Sequence, residues 1–519
     1  MTGPAVGHAG RLCFIGVEAM SKKRLITAAA VLLMLILNSA AFIILKKADT
    51  EPQNHEIAVS DSVPSQTDMV YTVPSESDAV TKTVSWQGAQ TAAAAEGIVL
   101  YSDQECTQPT EREIEAGSRV IICRQEEDKC YIRVGSDRGW VTADKVEPAG
   151  EPTVYQPVST GDAVSVNVAD IAPRLDKVAK SHGSIGVQIA VINDGAVSHL
   201  YEYGYSNRAG KIPMTSDKKI RAASVSKVIV AMGILSMQDM DLLSIDEDVS
   251  TYWGSSIKNP NHPNMPITLR HILTHTSSMK DFGYKNRATS KLEQNLRKRK
   301  SYTSKKPGTT GAYDYNNSAY CAAGAIAGRA ADDNFDRYMR KYFFEPMGID
   351  ASFCAGNLQD TSKVAPIYND GVVTMKPGDL IETRYYGGVG DDYTLYAGGL
   401  VISAKDLAQM VCVLLGDGGY NGMYYMQKDT VAMMLEPQLK LKKYDQCIAL
   451  RYQDDMLGGR SLYYHNGNML GVYSLLCFDP QTKDGMVIIT NGSKPQKQTD
   501  DVYNVCYDLA LIASELWEN

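Results

Sequence analysis

Phenylalanine is scarce in this chain of 519 residues, 8 against 30 tyrosines. The tyrosine excess reads as ordinary half-polar core and surface, not as a sugar-stacking platform. Cysteine is thin as well, at 10 residues, which excludes a disulfide-built scaffold. The net charge is −8, so no nucleic-acid partner is expected. A metal site also lacks its parts. His271 and His275 are four apart, the spacing of two zinc ligands on a helix, but position 272 is isoleucine where a zinc-protease helix carries glutamate. A structural role is expected for both, with no metal and no cofactor.

One long apolar run is present, at residues 25–45. It suits a single bilayer crossing, which takes about 20 residues. Lys22, Lys23 and Arg24 precede it and Lys46 and Lys47 follow. The charge bias leaves residues 1–24 cytoplasmic and the body outside, a single-pass protein of the cell membrane. A cleaved signal peptide with Ser39-Ala40-Ala41 as its site is the rival. The apolar run continues past Ala41, which favours an uncleaved anchor. Met20-Ser21-Lys22-Lys23-Arg24 makes a normal anchor leader, so Met20 is the expected start.

Composition then divides the rest. Residues 46–96 are rich in Ser, Thr, Asp, Gln, Ala and Pro and read as a flexible linker. Residues 97–148 carry short alternating strands, with a turn at Glu115-Ala116-Gly117-Ser118 and a Gly139-Trp140-Val141 strand near the end. Cys123 and Cys130 flank a polar hairpin turn in this segment, and a cross-strand disulfide between them is one option, with Cys106 left over. Residues 149–165 form a second linker. From 166 to 519 the pattern is mixed. Strands are expected at Ile185–Ile192 and Met486–Thr490, a closing helix at 501–517, and helices between. That is an α+β layout with one antiparallel sheet built from both ends of the segment.

Ser224-Val225-Ser226-Lys227 is the strongest chemical signal. Ser216 with Lys219, Ser255 with Lys258 and Ser277 with Lys280 match the same Ser-x-x-Lys pattern. Only Ser224 opens a long apolar segment, from Val228 to Leu235, that reads as a buried helix. Residues three apart share a helix face, so the Lys227 amine would stand beside the Ser224 hydroxyl. A desolvated lysine in that place helps a serine lose its proton. Two more motifs follow in order, Tyr315-x-Asn317 before a small-residue helix and His465-x-Gly467 after a strand. Gly467 and Gly471 would let a substrate backbone approach closely.

Taken together, Ser224-x-x-Lys227, Tyr315-x-Asn317 and His465-x-Gly467 resemble the serine β-lactamase and penicillin-binding protein superfamily. The nearest likeness is to class C β-lactamases, DD-carboxypeptidases and their esterase and D-aminopeptidase relatives. Ile267–Ser277, Pro346–Ile349, Ala397–Leu400 and Ser403–Leu407 support it, and the likeness spans 166–519. It implies an antiparallel sheet flanked by helices, plus an all-helical subdomain. Ser224 would be the nucleophile, and Lys227 and Tyr315 would share proton traffic. Asn317 would bind Lys227 and the substrate amide, and the backbone N–H groups of Ser224 and Asn468 would form the oxyanion hole. His465 departs from the lysine of β-lactamases and tilts the expectation toward peptidase, aminopeptidase or esterase activity. Ser278 stands where the family has glycine. Residues 97–148 resemble a bacterial SH3-like domain, a small β-barrel that implies contact with peptidoglycan or a spacer role. The expected protein is a membrane-anchored, extracytoplasmic hydrolase acting on cell-wall peptides through an acyl-enzyme. The rivals are a small-molecule esterase or β-lactamase, and a peptidoglycan-binding module with a vestigial hydrolase domain.

Overall fold

The computed structural model describes residues 90–134, 137–148, 168–283, 289–382, 389–390 and 393–517. The expected membrane anchor at 25–45, its flanks, the linker at 149–165 and Tyr284 lie outside them. No helix among the described residues is long and apolar enough to cross a membrane.

Residues 186–490 supply an antiparallel sheet of nine strands. Its centre is β8 (Gly186–Asn193), β9 (Ala196–Asn207), β10 (Arg451–Met456), β11 (Arg460–Met469), β12 (Val472–Asp479) and β13 (Asp484–Thr490). The lateral order is Ile212–Pro213, β9, β8, β13, β12, β11, β10, Asp445–Gln446, Leu439–Lys440. β8 pairs with β13, so the first and last long strands of the segment lie side by side.

These strands read as unbroken apolar runs because both faces are covered. Val187, Ile189 and Val191 face one core with α1 (Val168–Ser181) and α6 (Asn504–Ala513). Ala190 and Ile192, the alternate positions, face the other core with α2 (Ser226–Asp239), α4 (Asn317–Ala330) and α5 (Ala404–Leu415). Alternation along a strand assigns successive side chains to opposite layers. α2 is buried at almost every position and forms the central rod of the helical layer. α3 (Leu269–Leu273) is shorter than the sequence implied. It ends at Thr274, and His275 turns out of it with a φ of 59°.

Residues 90–148 form a separate antiparallel sheet of seven strands: β1 (Gln90–Ala94), β2 (Ile98–Tyr101), β3 (Pro109–Ile114), β4 (Arg119–Glu126), β5 (Lys129–Val134), β6 (Asp137–Thr142) and β7 (Val146–Pro148), in the order β3-β2-β6-β5-β4-β1-β7. β1 corrects the expected linker boundary at 96, because its alanines Ala92 and Ala94 fill the module's core. The optional disulfide between Cys123 and Cys130 is not formed. The hairpin is present, but Cys123 is the extra residue of a bulge between Ile122 and Arg124. The bulge turns Cys123 outward while Cys130 points into the module's core, and both thiols are free.

Cys123 and Ile121 pack on Met240 and Tyr424 of the larger domain. Arg133 of β5 crosses the same interface, 3% exposed. It donates to Ser236 Oγ at 3.4 Å and Tyr338 OH at 3.2 Å, and lies 4.7 Å from the Tyr342 ring centre. Ser236 sits in the last turn of α2, so this cation also meets the negative end of the helix dipole.

Candidate active site

The turn into α2 holds Ser224. Ala223 before it has a φ of 53°, a left-handed conformation that a non-glycine residue adopts at a cost. Ser226 secures the turn, donating its hydroxyl to the Ala223 carbonyl at 2.6 Å and accepting from the Leu400 N–H at 3.3 Å. One turn on, Lys227 is fully buried. A buried ammonium needs acceptors for its protons. Lys227 Nζ donates to Ser224 Oγ at 3.2 Å, to Asn317 Oδ1 at 2.8 Å and to the Ala397 carbonyl at 2.6 Å. All three of its N–H bonds are thereby used, and an ammonium has no lone pair with which to take the serine proton.

Tyr315 and Asn317 flank the start of α4. Asn316 between them caps the helix, accepting from the Ala319 N–H at 2.8 Å, and its amide donates to the Met279 carbonyl at 2.7 Å. The cap aims Asn317 at Lys227 and leaves Tyr315 half-buried at the mouth. The Tyr315 ring centre lies 5.0 Å from Lys227 Nζ. Its hydroxyl has no hydrogen-bond partner among the described residues.

His275 supports this loop from beneath. Its ring centre is 4.5 Å from that of Tyr315, and its Nδ1 accepts the Asn316 N–H at 3.1 Å. Burial, with the nearby Lys227 charge, holds His275 well below the usual histidine range, so it stays neutral. His271 Nδ1 faces the Thr268 N–H at 3.3 Å, at the head of α3. Both histidines that matched a zinc spacing are thus engaged with backbone. Ser278 takes the conformation a glycine would favour, with a φ of 60°, and its hydroxyl accepts from Asn259 Nδ2 at 2.8 Å.

β11 closes the other side. A Cβ on Gly467 would lie 2.9 Å from the Ser224 backbone nitrogen, so the missing side chain lets the strand press on the turn that holds Ser224. Gly471 serves the β11–β12 turn instead, with a φ of 98° against the Tyr368 carbonyl. Asn468 follows Gly467 and is exposed. His465 is 3% exposed, and its Nδ1 lies 2.6 Å from the Asn466 carbonyl. A carbonyl only accepts, so that nitrogen carries the proton. Burial, then the Arg451 and Lys227 charges, push His465 well below its usual range, and it is a neutral imidazole.

Ser224, Lys227 and Asn317 are therefore in direct contact, with Tyr315 over the ammonium, Gly467 against Ser224, and the His465 ring centre 6.3 Å from that of Tyr315. Two contributors were not foreseen. The Ala397 carbonyl is backbone and leaves no side-chain signal. Arg451, 5.7 Å from the Tyr315 ring centre and paired with Asp501, lies outside every motif. His275 takes the structural role expected of it, and the sequence leaves unstated only that the loop it supports carries Tyr315.

Against known proteins, the Beta-lactamase family model matches residues 170–506. PbpX of Bacillus subtilis (strain 168) is 23% identical over 51% of this chain and 62% of its own length. Esterase EstB of Burkholderia gladioli is 30% identical over 22% of this chain and 31% of its own. The D-alanyl-D-alanine-carboxypeptidase/endopeptidase AmpH of Escherichia coli (strain K12) is 26% identical over 24% of this chain and 31% of its own. The matched segments thus span less than two thirds of each relative. The fold is also that of the octameric penicillin-binding protein homologue from Pyrococcus abyssi, with a TM-score of 0.55, 21% identity, and 68% of this chain and 78% of that one covered.

Proposed function

The chain belongs to the β-lactamase family, and on that premise we propose that it is a serine hydrolase working through an acyl-enzyme on peptides that end in D-amino acids. The observation that carries this is the wiring of Lys227. Its protons are committed to Ser224, Asn317 and Ala397, so it acts as a fixed positive charge and not as the base. The proton of Ser224 then passes to Tyr315, which acts as its phenolate beside that charge, its own proton given up to solvent at the mouth. An ammonium 5.0 Å from the ring stabilises negative charge on the phenolic oxygen. Ser224 Oγ attacks the carbonyl, and the developing oxyanion is held by the N–H groups of Ser224 and Asn468. The leaving amine takes the proton from Tyr315. Tyr315 next removes a proton from water, the hydroxide attacks the acyl carbonyl, and Ser224 Oγ leaves and takes that proton back from Tyr315.

His465 bears on the substrate. A neutral imidazole gives the leaving-group side no charge of the kind a lysine supplies there. Amide and ester cleavage is favoured over efficient β-lactam hydrolysis, in keeping with the carboxypeptidase and esterase names of two relatives. The apolar run at 25–45 and the wall-type likeness of 97–148 support a membrane-anchored enzyme of the cell wall.

The test is intact-mass labelling with a penicillin and a fluorophosphonate, on wild type and Ser224→Ala. Adducts on wild type alone are expected, and their absence with both probes would sink the hydrolase reading. Turnover of D-Ala-D-Ala peptides against p-nitrophenyl esters then separates peptidase from esterase.

A further inference from the structure

A cavity of about 620 Å³, lined by Phe282 and Tyr393 among others, is used by no step of the reaction above. That size suits a small-molecule group or a peptide side chain. Two of its lining residues lead toward acceptors of Lys227. On one wall, Phe282 N–H donates to Ser318 Oγ at 3.1 Å, and Ser318 directly follows Asn317. On the other, Tyr393 opens the short helical turn Tyr393–Leu395, just before Ala397. A group seated in the cavity is therefore within one short peptide's reach of the Ser224 hydroxyl.

Its charge is the unusual property. Lys280, Lys291, Lys298 and Lys300 line it against a single acid, Asp281. Asp281 is already engaged, accepting from the Ser318 hydroxyl and from the Gly283 N–H. None of the four ammonium groups meets a carboxylate among the described residues, and Lys298 reaches only Asn295 Oδ1, at 3.2 Å. The protein as a whole carries −8, so a cavity with unpaired positive charge is not the background of an evenly basic surface. Phe282 and Tyr393 add apolar wall for an aliphatic stem.

We infer that this cavity binds a carboxylate of the substrate remote from the scissile bond, so that the enzyme selects acidic peptides. The turnover part of this inference rests on the hydrolase reading, while the binding part does not. Binding is read on full-length Ser224→Ala, which holds a ligand without consuming it. The probes are fluorescein-labelled Glu-Glu-D-Ala-D-Ala and its Gln-Gln counterpart. The acidic peptide is expected to bind about tenfold tighter at low salt, the combined effect of two exposed ion pairs. That advantage should fade as salt rises. Adding Lys280→Gln, Lys291→Gln, Lys298→Gln and Lys300→Gln should bring the two peptides to within about twofold of one another. The pair Lys298→Gln and Lys300→Gln, expected to give a partial loss, serves if the fourfold variant does not fold. Equal binding of the two peptides, no binding of either, or a preference that survives the lysine changes overturns the inference. A preference for the acidic peptide without any Ser224 adduct in wild type would instead keep the cavity's role and remove the hydrolase reading.

Discussion

Gly467→Ala should silence Ser224 with little harm to the fold. The added Cβ would lie 2.3 Å from Ser474 Oγ, 2.9 Å from the Ser224 nitrogen and 3.1 Å from the Ala222 carbonyl. Ser474 has no easy retreat, because it is fully buried and its hydroxyl donates to the Ala222 carbonyl at 2.7 Å. Ordinary carbon contacts begin near 3.5 Å, so β11 and the nucleophile turn must part by several tenths of an ångström. One excess methyl in a packed interior costs about 1–3 kcal/mol. The chemical cost is larger. The turn carries the Ser224 N–H, and loss of one oxyanion donor lowers kcat by about 10²–10³-fold. The second-order rate of fluorophosphonate labelling, followed by intact mass, should fall by about 100-fold or more, while the unfolding midpoint drops only a few degrees. Adding Ser474→Ala removes the closest clash but not the one with Ser224. It should recover stability and leave labelling slow. Labelling of Gly467→Ala at the wild-type rate would refute the argument, as would recovery of labelling in the double variant.

Lys227→Met keeps the bulk but removes the charge, and labelling should fall by about 10²–10⁴-fold, as intact mass would show. His275→Leu leaves the Asn316 N–H without its acceptor and loosens Tyr315. It should lower kcat on an ester substrate while KM moves little, and equal loss in both would mean general damage. Asp239 is raised by burial to about 6 from 3.8. Between those values the folded protein binds more protons than the unfolded chain, so this group's contribution to stability is full below about pH 4 and is lost as pH rises toward 6. The span is worth about 3 kcal/mol at most. Urea midpoints for Asp239→Asn should lack that decline, relative to wild type, across the same window.

Much of the architecture was legible because burial on both faces writes itself as unbroken apolar runs. Ile185–Ile192 and Met486–Thr490 fell within a residue or two of β8 and β13. The helix after Ser224 was legible for the same reason, as were Lys227, Tyr315, Asn317, His465 and Gly467, which stand in ordered motifs. Local backbone choices were not. His275 was expected to continue a helix, but it takes a left-handed turn and packs on Tyr315. Cys123 and Cys130 bracket a real hairpin, yet a single extra residue reverses the side on which one thiol lies. The Ala397 carbonyl and the Arg133 contact join segments far apart in the chain, and no short pattern announces either.

The Arg133 contact makes the helix that follows Ser224 a two-ended beam. One end is pinned at Ser224 and the other is gripped by a guanidinium from a different domain. The chain that arrives at residue 90 enters β1, which is zipped between β4 and β7. Tension along it would load that ladder in shear, pass through β4 and β5, and arrive at the far end of α2. The small domain is thus a collar through which whatever restrains the N-terminal segment also bears on the rod that carries Lys227.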